Sequence, residues 1–193
     1  VAVGGVALLG LLALGAITPA PPVTEPRPTP VTIAAPNALD VVALQINERI
    51  AALSLDQKIA QLMMVHCAGL DPAAVASCAS STGASGVILM GDNIGASPAD
   101  VAALTEALPH DARFPPLVAI DEEGGDIVRL PWDTFAGGSA LAAAPVSDTQ
   151  SAFAGRAKLL RDIGVNLNFG VVADVTADPK SFLAGRVLGN EPD

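Results

Sequence analysis

The sequence predicts an α/β fold with a parallel sheet. Short apolar runs with the composition of buried strands lie at residues 62–65, 86–90, 117–120 and about 167–173. Segments with helical features separate these runs, and such regular alternation is typical of parallel strands joined by helices. The run at 117–120 stops abruptly at three carboxylates and a glycine pair, as expected where the carboxyl end of a buried strand opens to solvent.

Helix-start signals precede three of the connecting segments. A side chain that can accept hydrogen bonds from the first turn is followed by a capping-box partner or by a proline at the first helical position. These starts are Ser54 with Gln57, for a helix through about Gln61, Asp71 with Pro72, and Ser97 with Pro98. Residues 149–163 show helical periodicity through their apolar positions, and residues 131–138 predict a longer loop.

The beginning of the chain predicts export. Residues 1–17 are apolar and carry no charge, which suits the core of an export signal or a membrane-spanning anchor. Residues 1–18 are therefore interpreted as a signal peptide or membrane anchor, residues 19–40 as an extended, proline-rich linker, and residues 41–193 as the folded domain. A buried helix of a soluble domain is the alternative for the first segment, and the proline-rich stretch that follows disfavours it.

Composition restricts the partners of the chain. The net charge of −10 argues against nucleic acid, whose phosphates would be repelled. Cys67 and Cys78 are the only cysteines. In an exported protein they can form a disulfide that closes a short loop, with two buried free thiols as the alternative. No histidine or cysteine grouping has the spacing of zinc ligands, and no metal or cofactor is predicted.

The polar residues after the run at 117–120 are the most informative in the chain. Residues 121–123 are Asp-Glu-Glu, residues 124–125 are glycines that let the backbone turn sharply and approach a ligand, and Arg129 follows. A charged loop that only solubilises the strand end is one alternative. A cation site formed by these acids and Asp126 is another, and it is disfavoured because successive residues at a strand end point apart.

This segment resembles a known family motif. Asp121-Glu-Glu-Gly-Gly-Asp-Ile-Val-Arg129-Leu is similar to the Asp-(Gln/Glu)-Glu-Gly-Gly-x-Val-x-Arg-Leu motif of family 3 glycoside hydrolases, in the branch that contains bacterial β-N-acetylhexosaminidases. The chain departs from the family pattern at Asp126, which replaces a basic residue, and at Val187 and Leu188, which replace Ser-Phe.

Further segments continue the resemblance in order, from roughly Ser54 to Asp193. They resemble the family's opening helix, the segment entering its fourth strand, and two later elements. The segments are Ser54-Leu-Asp-Gln-Lys-Ile-Ala-Gln-Leu-Met63, Gly164-Val-Asn-Leu-Asn-Phe-Gly-Val-Val-Ala-Asp174, Ala177-Asp-Pro-Lys-Ser-Phe182 and Gly185-Arg-Val-Leu-Gly-Asn190.

The resemblance implies a fold and a limit on the chemistry. The fold is the first half of a (β/α)8 barrel of the TIM type, strands one to four, because four β/α units are half of an eight-stranded barrel. The family's nucleophile and acid/base residue would then lie beyond Asp193. No catalytic residue is assigned in this chain, Glu122 and Glu123 included, and the fragment alone is expected to be inactive.

The resemblance also implies a sugar-binding subsite. Asp121 matches the family aspartate that accepts hydrogen bonds from sugar hydroxyls, and Arg129 and Arg186 match two substrate-contacting arginines, with structural ion pairs as the alternative for each arginine. Glu123 is expected to hold the glycine loop by accepting backbone hydrogen bonds. Asp174 is expected either to line the pocket or to cap the next helix.

The predicted activity is hydrolysis, with retention, of terminal β-linked N-acetylglucosamine, from cell-wall fragments outside the cytoplasm of a bacterium. The alternatives are a β-glucosidase of the same family and a non-catalytic, anchored carbohydrate-binding relative. The predicted partners are a carbohydrate substrate and, if the first segment is not cleaved, a membrane.

Overall fold

The computed structural model describes residues 37–111 and 114–191 and contains a four-stranded sheet. The strands are β1 (Met64–Val65), β2 (Gly86–Leu89), β3 (Leu117–Ile120) and β4 (Leu167–Asn168), and they neighbour each other in chain order. Every pairing is parallel. The predicted α/β class with a parallel sheet is thereby confirmed. The apolar leader at 1–18 and the linker through residue 36 lie outside the described residues.

Six α-helices lie among the described residues. They are α1 (Ala38–Ala52), α2 (Leu55–Ala60), α3 (Pro72–Thr82), α4 (Pro98–Glu106), α5 (Gly138–Ala142) and α6 (Val146–Asp162), with a 3-10 turn at Gly91–Asn93. All three predicted caps are present: Ser54 and Ser97 form capping boxes, and Asp71 accepts hydrogen bonds from the first turn of α3. Local side-chain chemistry therefore starts α2, α3 and α4 where the sequence predicted.

Two helices were not predicted. α1 includes the last residues, 38–40, that the sequence analysis assigned to the linker, and the Asn37 side chain accepts a hydrogen bond from the backbone N–H of Asp40 at its start. α5 replaces part of the loop expected at 131–138 and extends beyond it. No side chain caps α5, and Gly138 packs against the backbone of Arg186. A contact with a distant segment, and not a local capping signal, therefore accompanies the start of α5, which is why the sequence did not predict this helix.

Two strands are shorter than expected. β1 begins at Met64 rather than Leu62, because the backbone N–H groups of Leu62 and Met63 bond back to the end of α2. β4 ends at Asn168 rather than near Ala173. The Asn168 side chain accepts the backbone N–H of Gly170, so a local turn takes the place of further strand pairing.

The hydrophobic core lies between the sheet and the helices α3, α4 and α6. Its buried members include Val75, Leu104 and Leu160 on the helices and Leu89 and Ile120 on the strands. Burying each such side chain contributes about 1.5–3 kcal/mol. This core fixes the sheet and so sets where the carboxyl ends of its strands lie.

A disulfide joins Cys67, just after β1, to Cys78 in α3, with a Cα–Cα distance of 5.9 Å. The amide of the buried Asn93 donates to the carbonyl oxygens of Cys67 and Gly69, at 2.8 and 2.9 Å. The loop after β1 is therefore held both to α3 and to the 3-10 turn after β2. None of the helices in the described part of the chain has the length and apolar character needed to cross a membrane.

Candidate sugar-binding site

The three acids after β3 point to opposite sides of the chain. Asp121 and Glu123 line a cleft at the carboxyl edge of the sheet, whereas Glu122 is fully buried behind it. The expectation that successive strand-end residues point apart is confirmed, and it follows from the period-two geometry of extended backbone. Among the described residues, no group of three or more histidine, cysteine, aspartate or glutamate side chains is arranged to hold a metal ion.

The cleft has a volume of about 420 Å³ and brings together the five polar residues that the sequence analysis singled out. They are Asp121, Glu123, Arg129, Asp174 and Arg186. Its apolar wall consists of Ile127, Phe169, Val171, Val172, Phe182 and Leu183. Segments distant in the chain meet here because β3 and β4 are adjacent and parallel, so their carboxyl ends open at the same edge.

Arg186 and Glu123 form a bidentate ion pair. The guanidinium Nε and Nη2 donate to the two carboxylate oxygens of Glu123 at 2.8 and 2.6 Å. These hydrogen bonds are the main cause that raises the pKa of Arg186, and the charges of Glu123, Asp121 and Asp174 raise it further. Arg186 is therefore a permanent cation that lines the cleft with its guanidinium plane fixed by Glu123.

The predicted role of Glu123 is wrong. Its carboxylate accepts from the Arg186 guanidinium rather than from the backbone of the glycine loop. Glu122 takes that role instead, since its Oε2 accepts the backbone N–H groups of Arg129 and Leu130 at 2.8 and 3.0 Å. Sequence reasoning assigned this role to Glu123 because adjacent glutamates cannot be told apart until the face that each one occupies is known.

Arg129 and Asp121 make a looser contact. Nη2 of Arg129 lies 3.5 Å from Oδ2 of Asp121, and the two side chains are 27% and 31% exposed. A contact at this distance is weak. Asp121 and Arg129 thus keep hydrogen-bonding capacity that a ligand in the cleft can use.

Asp174 is exposed on the cleft rim. Of the two alternatives for this residue, helix capping is not observed, because no helix follows it within residues 175–191. The extended segment that carries Asp174 continues from β4, and it places the carboxylate close enough to raise the pKa of Arg186.

The turn between Glu123 and Ile127 depends on glycine. Gly124 and Gly125 have φ angles of 80° and 64°, which disfavour residues with a Cβ. A Cβ on Gly124 would also collide with Nη2 of Arg156. The backbone N–H groups of Glu123 and Gly124 both donate to the carbonyl of Ile127, at 3.0 and 3.1 Å. The resulting tight turn brings Arg129 back towards Asp121.

A buried polar layer supports this turn from behind. Nε of Arg156 donates to Oδ2 of Asp133 at 2.6 Å, and the two side chains are 1% and 0% exposed. Arg156 also donates to the carbonyls of Phe135 and Ala136. Sequence reasoning missed this pair. The only signal was an arginine among the apolar residues of the α6 pattern. Exposed arginines on helices give the same signal, so it could not identify a buried one.

Glu122 belongs to the same buried layer. Burial has the largest influence on the pKa of this carboxyl and raises it. The hydrogen bonds from the backbone N–H groups of Arg129 and Leu130 lower the pKa, whereas the hydrogen bond with Asp133 and the charge of Asp133 raise it. The resulting pKa is about 7, against an ordinary value of 4.5. At pH 7 about half of the Glu122 carboxyl groups are therefore protonated, whereas an ordinary glutamate is almost fully ionised.

Asn168 joins β4 to the site, and sequence reasoning missed it too. Its side chain accepts from the backbone N–H of Glu122 at 3.0 Å and donates to the Glu122 carbonyl at 2.9 Å. Asn166 does the same two residues earlier, where it bonds to Val118 and Pro116. The alternation of asparagine with apolar residues at 165–168 was the signal that could have found this pair.

A histidine–aspartate pair lies at the same edge of the sheet. Nε2 of His66, after β1, is 2.9 Å from Oδ1 of Asp92, in the turn after β2. Both side chains are partly exposed, at 37% and 48%. His66 had no role in the sequence analysis, and its partner became visible only once β1 and β2 were known to be neighbours.

The chain is similar to known glycoside hydrolases. No family model matches the chain. Beta-hexosaminidase LpqI of Mycobacterium tuberculosis is 31% identical over 149 residues, which are 74% of this chain. A solved structure of a glycosyl hydrolase of family 3 from Mycobacterium smegmatis has 28% identity and a TM-score of 0.58, over 74% of this chain and 44% of that one. This chain is a relative of the family 3 glycoside hydrolases.

The solved structure of M. tuberculosis LpqI has a fold similar to that of the present chain over the part that matches. Its TM-score is 0.59 at 24% identity, and the match covers 75% of this chain and 42% of that one. The chain spans only 37% of the length of the curated LpqI sequence that it matches.

Proposed function

We propose that the full-length protein is a β-N-acetylhexosaminidase that releases terminal β-linked N-acetylglucosamine with retention of configuration. In this proposal, residues 41–193 form the first half of a (β/α)8 barrel and supply part of the sugar-binding subsite. The observation that carries the proposal is the convergence of Asp121, Arg129 and Arg186 in one cleft at the carboxyl edge of a parallel sheet. The similarity to proteins named as β-hexosaminidases supports the choice of sugar.

The cleft has the chemistry that a sugar ring requires. Asp121 offers carboxylate oxygens to hydroxyl groups, and hydrogen bonds that involve a charged group contribute about 1.5–3 kcal/mol each. The Glu123 carboxylate fixes the plane of the Arg186 guanidinium, so this donor loses little entropy when a substrate binds. The apolar residues of the wall, Phe169 and Phe182 among them, suit the carbon-rich face of the ring.

We assign neither Glu122 nor Glu123 to the catalytic pair. A retaining glycosidase needs two carboxyl groups about 5–5.5 Å apart on opposite sides of the anomeric carbon. Glu122 is fully buried behind the cleft, and Glu123 is committed to Arg186. We therefore assign the nucleophile and the acid/base residue to sequence beyond Asp193.

We place the protein outside the cytoplasm, secreted or anchored to the membrane by residues 1–18. The apolar leader and the Cys67–Cys78 disulfide support this location, because disulfides persist in oxidising compartments. Cell-wall fragments that end in N-acetylglucosamine are then the substrates within reach.

The proposal is tested by assaying the full-length protein with chromogenic β-glycosides. We expect hydrolysis of the N-acetyl-β-glucosaminide in preference to the β-glucoside, with the β-anomer as the first product seen by NMR. Preference for the glucoside would favour the β-glucosidase alternative. Binding of N-acetylglucosamine without turnover would favour the non-catalytic carbohydrate-binding alternative. If the protein showed no binding and no turnover, the sugar pocket would be refuted.

A further inference from the structure

The buried side of the Asp121–Arg129 turn contains an unusual carboxyl group. Glu122 is 0% exposed and uses its two oxygens unequally. Oε2 accepts the backbone N–H groups of Arg129 and Leu130, whereas Oε1 receives no hydrogen bond from any described residue although it is buried. A buried carboxylate oxygen with no donor is unfavourable, whereas a carboxylic acid O–H at the same position would be a donor seeking an acceptor.

Asp133 is the side-chain hydrogen-bond partner of the Glu122 carboxyl, and it forms a buried ion pair with Arg156. Its Oδ2 accepts from Nε of Arg156 at 2.6 Å, and its Oδ1 accepts the backbone N–H of Phe135 at 2.9 Å. Two carboxyl groups in contact within a buried layer do not both ionise. Because Arg156 stabilises the charge on Asp133, the proton belongs on Glu122.

We propose that Glu122 is a positioning residue that acts as a carboxylic acid: it donates its proton to Asp133 and, through its other oxygen, fixes the backbone that presents Arg129 to the cleft. This inference rests on the proposed sugar-binding role of Arg129. Glu122 contacts the Asp133–Arg156 pair through one oxygen and the strand-end turn through the other. One buried network therefore determines where the Arg129 guanidinium lies.

The groups that face the Glu122 carboxyl define the pH response. Asp133 approaches from the segment after Leu130, and Arg156 of α6 is bonded to Asp133. On its own segment, the neighbouring acids Asp121 and Glu123 point into the cleft on the other side of the chain. Asp133 is thus the charged group that opposes ionisation of Glu122.

The variant Glu122→Gln tests whether Glu122 carries a proton. The glutamine oxygen can accept the two backbone N–H groups while its amide donates to Asp133, so this variant reproduces the protonated acid at every pH. In the full-length protein, the infrared difference spectrum of wild type minus E122Q should contain a carboxylic acid C=O band at about pH 5.5 that is lost by about pH 8.5. Absence of that band at the lower pH would overturn the proton assignment.

Stability gives a second readout of the same proton. The pKa of Glu122 is raised in the folded state from 4.5 to about 7, so between these values the folded protein holds a proton that the unfolded chain has released. The free energy of unfolding should therefore fall as pH rises from 4.5 to about 7 and level off above it. In E122Q this component of the fall should be missing, and an unchanged pH profile would contradict the proposal.

The positioning role is tested with Glu122→Ala and a readout besides activity. E122A leaves the buried N–H groups of Arg129 and Leu130 unpaired and should raise KM for the N-acetyl-β-glucosaminide by about tenfold, whereas E122Q should stay within about twofold of wild type. In ¹⁵N-arginine NMR spectra, the Nε–H resonance of Arg129, identified by its loss in R129K, should shift or broaden in E122A and remain in place in E122Q. A folded E122A with an unchanged resonance would refute the positioning role.

The two proposals can fail separately. If wild type hydrolyses no glycoside, the proposed function fails, and the infrared band, the pH profile of stability and the Arg129 resonance still decide the role of Glu122. If E122A does not fold, E122Q alone decides. A KM equal to that of wild type and an Arg129 Nε–H resonance at its wild-type position in E122Q support the role of Glu122, and a displaced resonance refutes it.

Discussion

Asp121 and Glu123 are two residues apart on one face of the strand end, yet their surroundings give them different tasks. Glu123 is 7% exposed and fully used by Arg186, whereas Asp121 has only the 3.5 Å contact with Arg129. An acid whose oxygens are already bonded stabilises the site, and one with free lone pairs can bind a ligand. Asp121 is therefore the residue whose removal should affect binding most directly.

Asp121→Ala in the full-length protein should lower kcat/KM for the N-acetyl-β-glucosaminide by about tenfold to hundredfold, since the charged hydrogen bonds that we propose between Asp121 and the sugar would be lost. The melting temperature should change little, because the contact of Asp121 with Arg129 is long. Asp162→Ala, which removes an exposed aspartate of α6, is the control and should leave turnover unchanged. Unaltered turnover in D121A would show that this turn does not belong to the sugar pocket.

Arg186→Lys should lower kcat/KM by about tenfold, because an ammonium cannot make the two parallel hydrogen bonds that now hold Glu123. Arg161→Lys on α6 is the matched control, since Arg161 is exposed and lies outside the cleft. Steady-state kinetics of both variants check the expectation. Equal activity of R186K and wild type would mean that positive charge alone, and not the planar fork, is what the site uses.

At the scale of secondary-structure elements, α6 is tied to the site by a charge rather than by apolar packing alone. Arg156 reaches from the helix to Asp133 and to the carbonyls of Phe135 and Ala136. It also occupies the space beside Gly124 that a Cβ would need. The helix, the segment before α5 and the glycine turn therefore depend on one side chain, which couples the stability of this layer to the shape of the cleft.

Arg156→Met should reduce the free energy of unfolding by about 3–5 kcal/mol, because Asp133 would remain as an uncompensated buried charge. Lys158→Met is the control on the same helix. Its partner Asp162 is also 2.6 Å away, but the two side chains are 68% and 52% exposed, and such pairs contribute about 0–1 kcal/mol. Urea unfolding of the two variants should separate them, and equal losses would argue that burial of the Arg156 pair is unimportant.

At the scale of the whole molecule, the described sheet has two open edges. Neither β1 nor β4 pairs with a further strand within residues 37–111 and 114–191. Large apolar side chains at Leu44, Phe169 and Phe182 are 59%, 49% and 81% exposed. Unpaired parallel edges and uncovered apolar surface are unfavourable in water, which agrees with the proposal that these residues are half of a barrel.

The isolated polypeptide 41–193 should therefore be poorly soluble and should not hydrolyse the chromogenic N-acetyl-β-glucosaminide above background. The physical reason is the same for both properties, since in our proposal further strands would cover the edges and carry the catalytic pair. Expression of this segment beside the full-length protein, with sedimentation and turnover measured for each, checks the expectation. Turnover by the segment alone would require a catalytic acid within it and would contradict our assignment.

Much of this molecule follows from local sequence. The capping residues Ser54, Asp71 and Ser97 and the apolar run at 117–120 act within one turn or one strand, so the helices and strands that they define were predictable. The pocket residues were predictable for a different reason. Asp121, Arg129 and Arg186 lie in motifs that resemble those of a family, and the structure brings them into one cleft.

The tertiary structure alone decided which partner each polar side chain has. Glu122 and Glu123 are adjacent and chemically identical, and only the face that each occupies assigns one to the backbone of Arg129 and the other to the guanidinium of Arg186. Likewise, nothing local marks Arg156 as buried or joins it to an acid 23 positions earlier. Caps and strand patterns act over a few residues and so can be recognised in sequence, whereas the pairing of buried charges depends on which distant segments the core brings into contact.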